Sequence, residues 1–471
     1  MKALRTLAIL AVSISICSAL QAQELNTAHF LDNYLYGYRL NPSVTPTGTA
    51  GFFGIGVGNI SLTADSDLGL SNFVFPLDDG RLVTGLNSAI SASQFPGGLK
   101  KMNWVMANLS ENVLSVGFSG SKGGYNHIEI NIVSQNELGI PRSLFETLKC
   151  ENTTGNYLVE NINFGTRNYI EASYGHSRRI NNLAIGWSAK ALVGIARMNA
   201  AVDMEINSAG DGLWARSHCT LQAAAAPLHI GTDSDGYMDF GSIAFNTQSI
   251  KPAGYGGAID IGASYYFFND KLIAGAAIRN LGMMVWNTNL FGENYGERVY
   301  VNLDNPENAG DEFQKMIQFR QVNGAGRSDF DFLPFSFNLS AKYKPVKLVT
   351  VGAVATMCSY GGNFTKDIRL GAAFTPFRQL NIAGTYAIGD QGSEVGAALS
   401  VRLLGLNVYV GVDSFLAKVS PQYIPINPVA TTVNAGVAIA IGKKKEPRKK
   451  AEPQPEELVP EIQDDAVEPA E

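Results

Sequence analysis

The chain has 471 residues, 45% hydrophobic and only 17% charged, with 49 glycines, 24 phenylalanines, 18 tyrosines and a formal charge of −6. So mild a negative charge argues against a nucleic-acid partner. No apolar run of about 18 residues follows the N-terminal leader, which argues against membrane-spanning helices, whereas one large all-β domain fits the length and the glycine-rich, aromatic-rich composition.

Residues 1–22 place Lys2 and Arg5 ahead of an apolar stretch from Leu7 to Ile16 and read as a secretory leader cleaved near Ala22. Cys17 would serve a lipoprotein signal only behind a small residue, and Ile16 stands there. Cys150, Cys219 and Cys358 then remain, an odd set at scattered spacing that reads as isolated thiols rather than a disulfide framework or a zinc site. Residues 24–112 alternate cleanly only in GFFGIGVGNISLT and carry turn signals such as FPLDDG and FPGG.

The stretch LAIGWSAKALVGIARMNAAVDMEI, residues 183–206, decides the architecture. As a membrane helix it would hold Lys190, Arg197, Asp203 and Glu205 in hydrocarbon, at roughly 2.5–3.5 kcal/mol each. A period of two removes the difficulty. Leu183, Ile185, Trp187, Ala189, Ala191, Val193 and Ile195 fall on one face, opposite Ala184, Gly186, Ser188, Lys190 and Gly194, with Leu192 out of pattern. A tight crossing at Arg197–Asn199 is expected next, after which Ala200, Val202, Met204 and Ile206 oppose Ala201, Asp203 and Glu205. SRRINN before this pair of strands and NSAGDG after it read as short turns at the same end.

DSDGYMD, residues 233–239, sets Asp233, Asp235 and Asp239 around a glycine, loosely like a calcium loop. It lacks the ligand spacing and the closing glutamate, so it reads as a solvated acidic turn, and neither a metal nor another cofactor is expected. Alternation returns at 258–267, where Ile259, Ile261, Tyr265 and Phe267 oppose Asp260, Gly262 and Ser264, and again at 335–343, 394–403, 406–413 and 431–442. One face is aliphatic or aromatic throughout, and the other carries isolated charges among Gly, Ser and Ala. Segments of about ten residues with this dyad pattern are membrane-spanning strands.

The charges on the small-residue face are Lys190, Asp203, Glu205, Asp260, Arg279, Lys342, Glu394, Arg402 and Asp413. They would face the lumen, where they either line a polar path or, the favoured reading, pair across the wall and hold a lumen filler. Connections alternate in length, with 224–257, 287–334 and 415–430 the long ones. The pattern predicts a transmembrane antiparallel β-barrel of about 14 to 16 strands over residues 50–442, with both chain ends in the periplasm. His29, His127, His176, His218 and His229 have no setting that selects a catalytic base, so no enzyme is expected. From residue 443 on, KKKEPRKK and an acidic, proline-punctuated segment cannot bury a core and read as a disordered periplasmic tail.

GYGGAIDIGASYYFFNDKLIAGAAIRNLGMMVWN, residues 254–287, resembles a recurring element of barrels similar to the long-chain fatty-acid transporter, the PorV-type proteins of Bacteroidota among them. Together with AHFLDNYLYGYRLNPS (28–43) and the stretch 169–206, it looks like a Bacteroidota family of outer-membrane barrels with no assigned function. The resemblance covers nearly all the chain from the leader to residue 442 and implies an outer-membrane barrel. It also implies that residues 23–49, with Phe30, Tyr34, Tyr36 and Tyr38, form a plug in the lumen; an ordinary periplasmic extension is the alternative. A fold hosts many functions, and two stay open. One is passage of small molecules, apolar ones included; the other is a non-conducting scaffold that holds an outer-membrane protein partner by its outer loops or tail.

Overall fold

The computed structural model describes residues 24–442 apart from 57, 121–122, 149–154, 210–211, 226–227, 246–250, 297–298, 302–317, 323–326, 361–362, 391 and 415–425. The leader, Cys150 and the tail therefore lie outside the described residues. In chain order, β1 (Gly51–Ile55) continues as β2 (Ile60–Ser66), and β3 (Val74–Pro76) and β4 (Leu82–Thr84) form a small hairpin. Then come β5 (Met102–Ser119), β6 (Gly124–Pro141), a short helix α1 (Arg142–Leu148), β7 (Gly155–Ile180) and β8 (Leu183–Ala209). Next are β9 (Gly212–Ala224), β10 (Leu228–Thr232), β11 (Met238–Phe245), β12 (Gly254–Phe267) and β13 (Leu272–Thr288). Four shorter strands follow, β14 (Leu290–Tyr295), β15 (Val299–Val301), β16 (Arg320–Val322) and β17 (Arg327–Phe332). The last seven are β18 (Ser336–Val346), β19 (Val349–Tyr360), β20 (Asn363–Phe377), β21 (Leu380–Gly389), β22 (Gly392–Leu403), β23 (Leu406–Val412) and β24 (Val429–Ile441).

Among the described residues, fourteen strands close into one antiparallel ring. β1 and β2 together make the first, and β24 seals the ring against them, from Gly51↔Ile441 to Ser66↔Val429. Each strand feeds the next by antiparallel pairing, so no edge in the ring is left open, which is what a sheet in an apolar surrounding requires.

The period-two faces match the two sides of this wall. On β8, Ile185 and Trp187 are 49% and 41% exposed, while Ala184, Ser188 and Leu192 are buried. Leu192, out of pattern in the sequence, points inward with the small residues. Val408 and Val410 on β23 and Ile439 and Ile441 on β24 are likewise exposed, with Asn407, Tyr409, Asn434 and Ala438 buried between them. Large apolar side chains thus cover the outer surface, and small or polar ones line the inside.

The two ends of the ring differ. At one end the connections are the short hairpins at 120–123, 181–182, 268–271, 347–348, 378–379 and 404–405, and the start of β1 meets the end of β24 there. The tightest is Leu403–Leu406, where Leu404 and Gly405 take φ of 49° and 90°, the positive pair that suits a two-residue hairpin. At the other end lie the long connections, together with the two-residue links between β19 and β20 and between β21 and β22. Two of the long connections meet in a cap in which Phe73 and Phe95, between β2 and β5, pack against Phe145 of α1, between β6 and β7.

The structure overturns one expected turn. β8 runs unbroken through Arg197–Asn199, with Thr166↔Met198 and Gly165↔Asn199 in register on β7. NSAGDG consequently lies at the loop end rather than the hairpin end, where β8 hands over to β9 through Ala209↔Gly212. Past the ring, β7 and β8 project outward and carry β9, β14, β15 and β16 as a side sheet. Ala200 and Val202, read as one face of a separate strand, and Met198, read as part of the crossing, pack there against Cys219, Leu221 and Leu290.

Candidate functional site

The ring interior is occupied from its first described residues onward. Leu25, Phe30, Leu31, Tyr34, Leu35, Tyr36, Tyr38 and Leu40 are buried against Phe52, Tyr125, Val354, Ala373 and Tyr409 of the wall. The segment has no alternation because it is not a strand: it is built of two 3₁₀ turns, Asn26–Phe30 and Gly37–Arg39. Its aromatic rings dock one by one on wall rings. Tyr34 meets Tyr409 edge-on at 4.9 Å, Tyr36 meets Phe52 at 5.2 Å, and Tyr38 stacks on His127 at 4.0 Å. Glycines make room for it, since a Cβ at Gly186 or Gly262 would collide with Pro42 or Asn41, and one at Gly371 with Phe30.

Charged wall residues fasten this segment by its backbone. The Asp413 carboxylate accepts from the N–H groups of Asn26 (2.7 Å) and Thr27 (2.8 Å) and from the Thr27 hydroxyl (2.6 Å), satisfying donors that a helical turn leaves orphaned. Arg402 donates to the carbonyls of Asn33 and Thr47, both at 2.8 Å, and Arg279 to that of Arg39 at 3.0 Å.

Beyond the segment, towards the loop end, lies a polar cavity. A chain of ion pairs and hydrogen bonds crosses its wall. Arg39 binds Glu24 (3.1 Å), Glu129 (3.0 Å) and the Asn131 amide (2.6 Å), and Tyr38 donates to Glu129 at 2.6 Å. Asn131 in turn donates to Glu171 (3.1 Å), and Lys190 lies 3.6 Å from Glu171 and 3.0 Å from Asp260 while donating to Asn280. Asn280, at φ 60°, sits beside a bulge opposite Asp260, whose carboxylate caps its N–H at 2.6 Å. A second, smaller cavity surrounds Arg369, which pairs with Glu394 (2.8 Å) and donates to the Asp413 carbonyl (2.9 Å).

Of the charges expected to face the lumen, Lys190, Asp260 and Arg279 therefore meet at the larger cavity, Glu394 and Asp413 at the smaller, and Arg402 at the inner segment. Lys342 lies between the outward Ala341 and Tyr343, and its neighbour Lys344 pairs with Asp32 at 2.8 Å. Asp203 and Glu205 do not join them. Both lie on the projecting part of β8, where Asp203 accepts the Asn161 N–H at 2.7 Å and Glu205 is exposed; the false crossing at Arg197 had concealed that this stretch has left the ring. Arg197 itself is buried and holds Asp331 at 2.6 Å and 2.8 Å.

Sequence reading missed Arg39, Glu129, Glu171 and Arg369. Three of these carried the same signal as Lys190: Glu129 between Ile128 and Ile130, Glu171 between Ile170 and Ala172, and Arg369 between Ile368 and Leu370. Arg39 had none, because a 3₁₀ turn has no period-two pattern to break.

Other candidates dissolve into local structure. In DSDGYMD the Asp233 carboxylate accepts the N–H groups of Asp235 and Tyr237 at 3.0 Å and 2.8 Å, which is a turn closing on itself. His127 and Ser188 are 2.9 Å apart, while Glu129, two residues from His127 on the same strand, is engaged with Tyr38 and Arg39.

Residues 42–413 match the model of a family described as a family of unknown function, DUF5723. No curated protein matches the chain. Among solved structures, it is similar to a Pseudomonas aeruginosa FadL homologue, at 10% identity and a TM-score of 0.44 over 90% of this chain and 100% of that one. It is also similar to the Pseudomonas putida toluene transporter TodX, at 10% identity and 0.43 over 85% and 93% of the two chains. The Ralstonia pickettii toluene transporter TbuX gives 9% and 0.41 over 89% and 98%.

Proposed function

The chain belongs to DUF5723, a family of unknown function, and we propose that it is an outer-membrane barrel that passes small polar solutes, with the N-terminal segment as its gate. An outer surface covered by large apolar side chains on a ring with no open edge supports the membrane setting. The hairpin end, with the chain's entry to and exit from the ring, is the periplasmic one in this reading.

The observation that carries the reading is the charge-lined cavity bounded by Glu129, Glu171, Lys190, Asp260 and Arg279 and floored by Tyr38 and Arg39. A barrel serving only as an anchor has no use for such a space, and a ring of fourteen strands approaches the size that leaves an aqueous channel once emptied. Apolar cargo fits this route poorly, because it would replace the hydration of charged walls with nothing.

The scaffold reading draws support from the side sheet of β9, β14, β15 and β16, which extends beyond the ring and has its own apolar cluster. Deleting residues 24–45 separates the two. A gate predicts a rise in single-channel conductance in planar bilayers and faster uptake of a small charged solute into vesicles. A deletion protein that folds, as judged by heat-modifiable mobility, yet stays at background conductance removes the transport reading and leaves the scaffold.

A further inference from the structure

The carboxylates, lysines and arginines that line the central cavity are unevenly matched. Arg39 alone serves Glu24 and Glu129, and Lys190 alone serves Glu171 and Asp260. Each trio keeps a net negative charge. The remaining cation, Arg279, is only 7% exposed, yet it pairs with no carboxylate among the described residues. Its Nε donates to the Ser336 hydroxyl and its Nη1 to the Arg39 carbonyl, both at 3.0 Å and both to neutral groups, and Nη2 is left without a hydrogen bond. Asn280, the next residue in the chain, accepts from Lys190 and gives its N–H to Asp260 at 2.6 Å, so Arg279 is held beside the second trio. A buried cation short of an anion thus stands next to two carboxylates that share one cation, and buried charges left short of partners are strongly unfavourable.

We propose that this cavity binds small zwitterions, amino acids and short peptides, with the carboxylate on Arg279 and the ammonium against Glu171 and Asp260. A guanidinium presents its N–H groups as a fork that a carboxylate matches, and an ammonium brings three donors to carboxylate oxygens. A solute of one sign satisfies only one end. A simple anion pairs with Arg279 but faces the carboxylates, which outnumber the cations; a simple cation pairs with the carboxylates but leaves Arg279 alone. A neutral solute leaves both ends short. The inference rests on the transport reading for the route by which the solute travels, whereas binding can be read on a barrel that does not conduct.

The test uses the full chain, purified folded in detergent and checked by heat-modifiable mobility. Equilibrium dialysis with labelled alanine at neutral pH should show saturable binding. Unlabelled alanine should displace the label roughly tenfold better than lactamide, lactate or isopropylammonium, its neutral, anionic and cationic counterparts of similar size. Arg279→Gln should weaken alanine binding about tenfold or more and pass the preference to isopropylammonium, because the carboxylates then outnumber the cations further. Arg279→Lys keeps the charge without the fork and should retain part of the binding. If neither variant folds, the ranking of the four competitors on the wild type decides alone. The same four solutes are then compared by swelling of vesicles that carry the wild-type protein, where alanine should enter fastest. Alanine that binds with this ranking while no solute crosses leaves the site assigned and counts against the transport reading instead. Absence of saturable binding, displacement by lactamide as effective as by alanine, or a folded Arg279→Gln variant that binds like the wild type would each overturn the proposal.

Discussion

Lys190 shows how one residue can be readable in the sequence while its environment is not. Period two put it on the inner face of β8, and it was the favoured reading that inner charges pair; but the partners Glu171 and Asp260 come from strands on either side, β7 and β12, at positions that only the register fixes. Both carboxylates are largely buried, with side-chain exposures of 11% and 8%. Lys190→Met should therefore leave two buried carboxylates short of a cation and destabilise the barrel by about 3–5 kcal/mol, measured by urea unfolding from lipid vesicles. Adding Glu171→Gln and Asp260→Asn should restore most of the loss. A single variant within about 1 kcal/mol of wild type, the range of an exposed pair, would show that the site is open to water rather than closed by its network. Arg39 marks the opposite limit, since a residue on an aperiodic inner segment has no face to be read from.

Among the elements, those with strict alternation were legible and those that left the ring were not. β12, β18, β22, β23 and β24 each follow from the side-chain period alone, because one face meets apolar surroundings and the other meets a filled interior. β8 misled for a physical reason. Where it passes beyond the ring at Arg197 its environment changes from wall to projecting sheet, and the apolar face switches at Met198 to pack against β9. A switch of face in a straight strand and a hairpin turn look alike in one dimension. They differ in space. Thr166 and Met198 are direct Cα partners across β7 and β8, so Thr166→Cys with Met198→Cys should crosslink with a short bifunctional thiol reagent and run as a compact band on a denaturing gel. Cys219 and Cys358 are buried and should stay silent. No crosslink in the folded protein, alongside efficient crosslinking of a control pair at Ala172 and Ala191 in the lower part of the same two strands, would restore the turn.

At the scale of the whole molecule, connection length carried the topology even though one turn was misplaced. Removing the false crossing moves NSAGDG from the hairpin end to the loop end and leaves every later connection, from 224–257 to the hairpin at Leu404, at the end first assigned to it. The reason is that β9 starts at the loop end and turns back only as far as Arg197, opposite Ala224, so it never completes a crossing of the ring. The occupation of the interior was implied only by the resemblance and not by the residue pattern, since the packing of Phe30, Tyr34, Tyr36 and Tyr38 depends on glycines and rings from strands far away in the chain. The ends can now be told apart by experiment. Barrels of this class keep short turns in the periplasm and long loops outside, and Leu404 protrudes fully from the tightest hairpin. Leu404→Cys should react with a bulky, membrane-impermeant maleimide only after the outer membrane is permeabilised, whereas an epitope inserted between residues 323 and 327 should bind antibody on intact cells. Labelling of Leu404→Cys on intact cells would invert the barrel. The polar cavity would then open to the periplasm and the inner segment would close it from the outside, so the gate would have to be sought among the short hairpins instead.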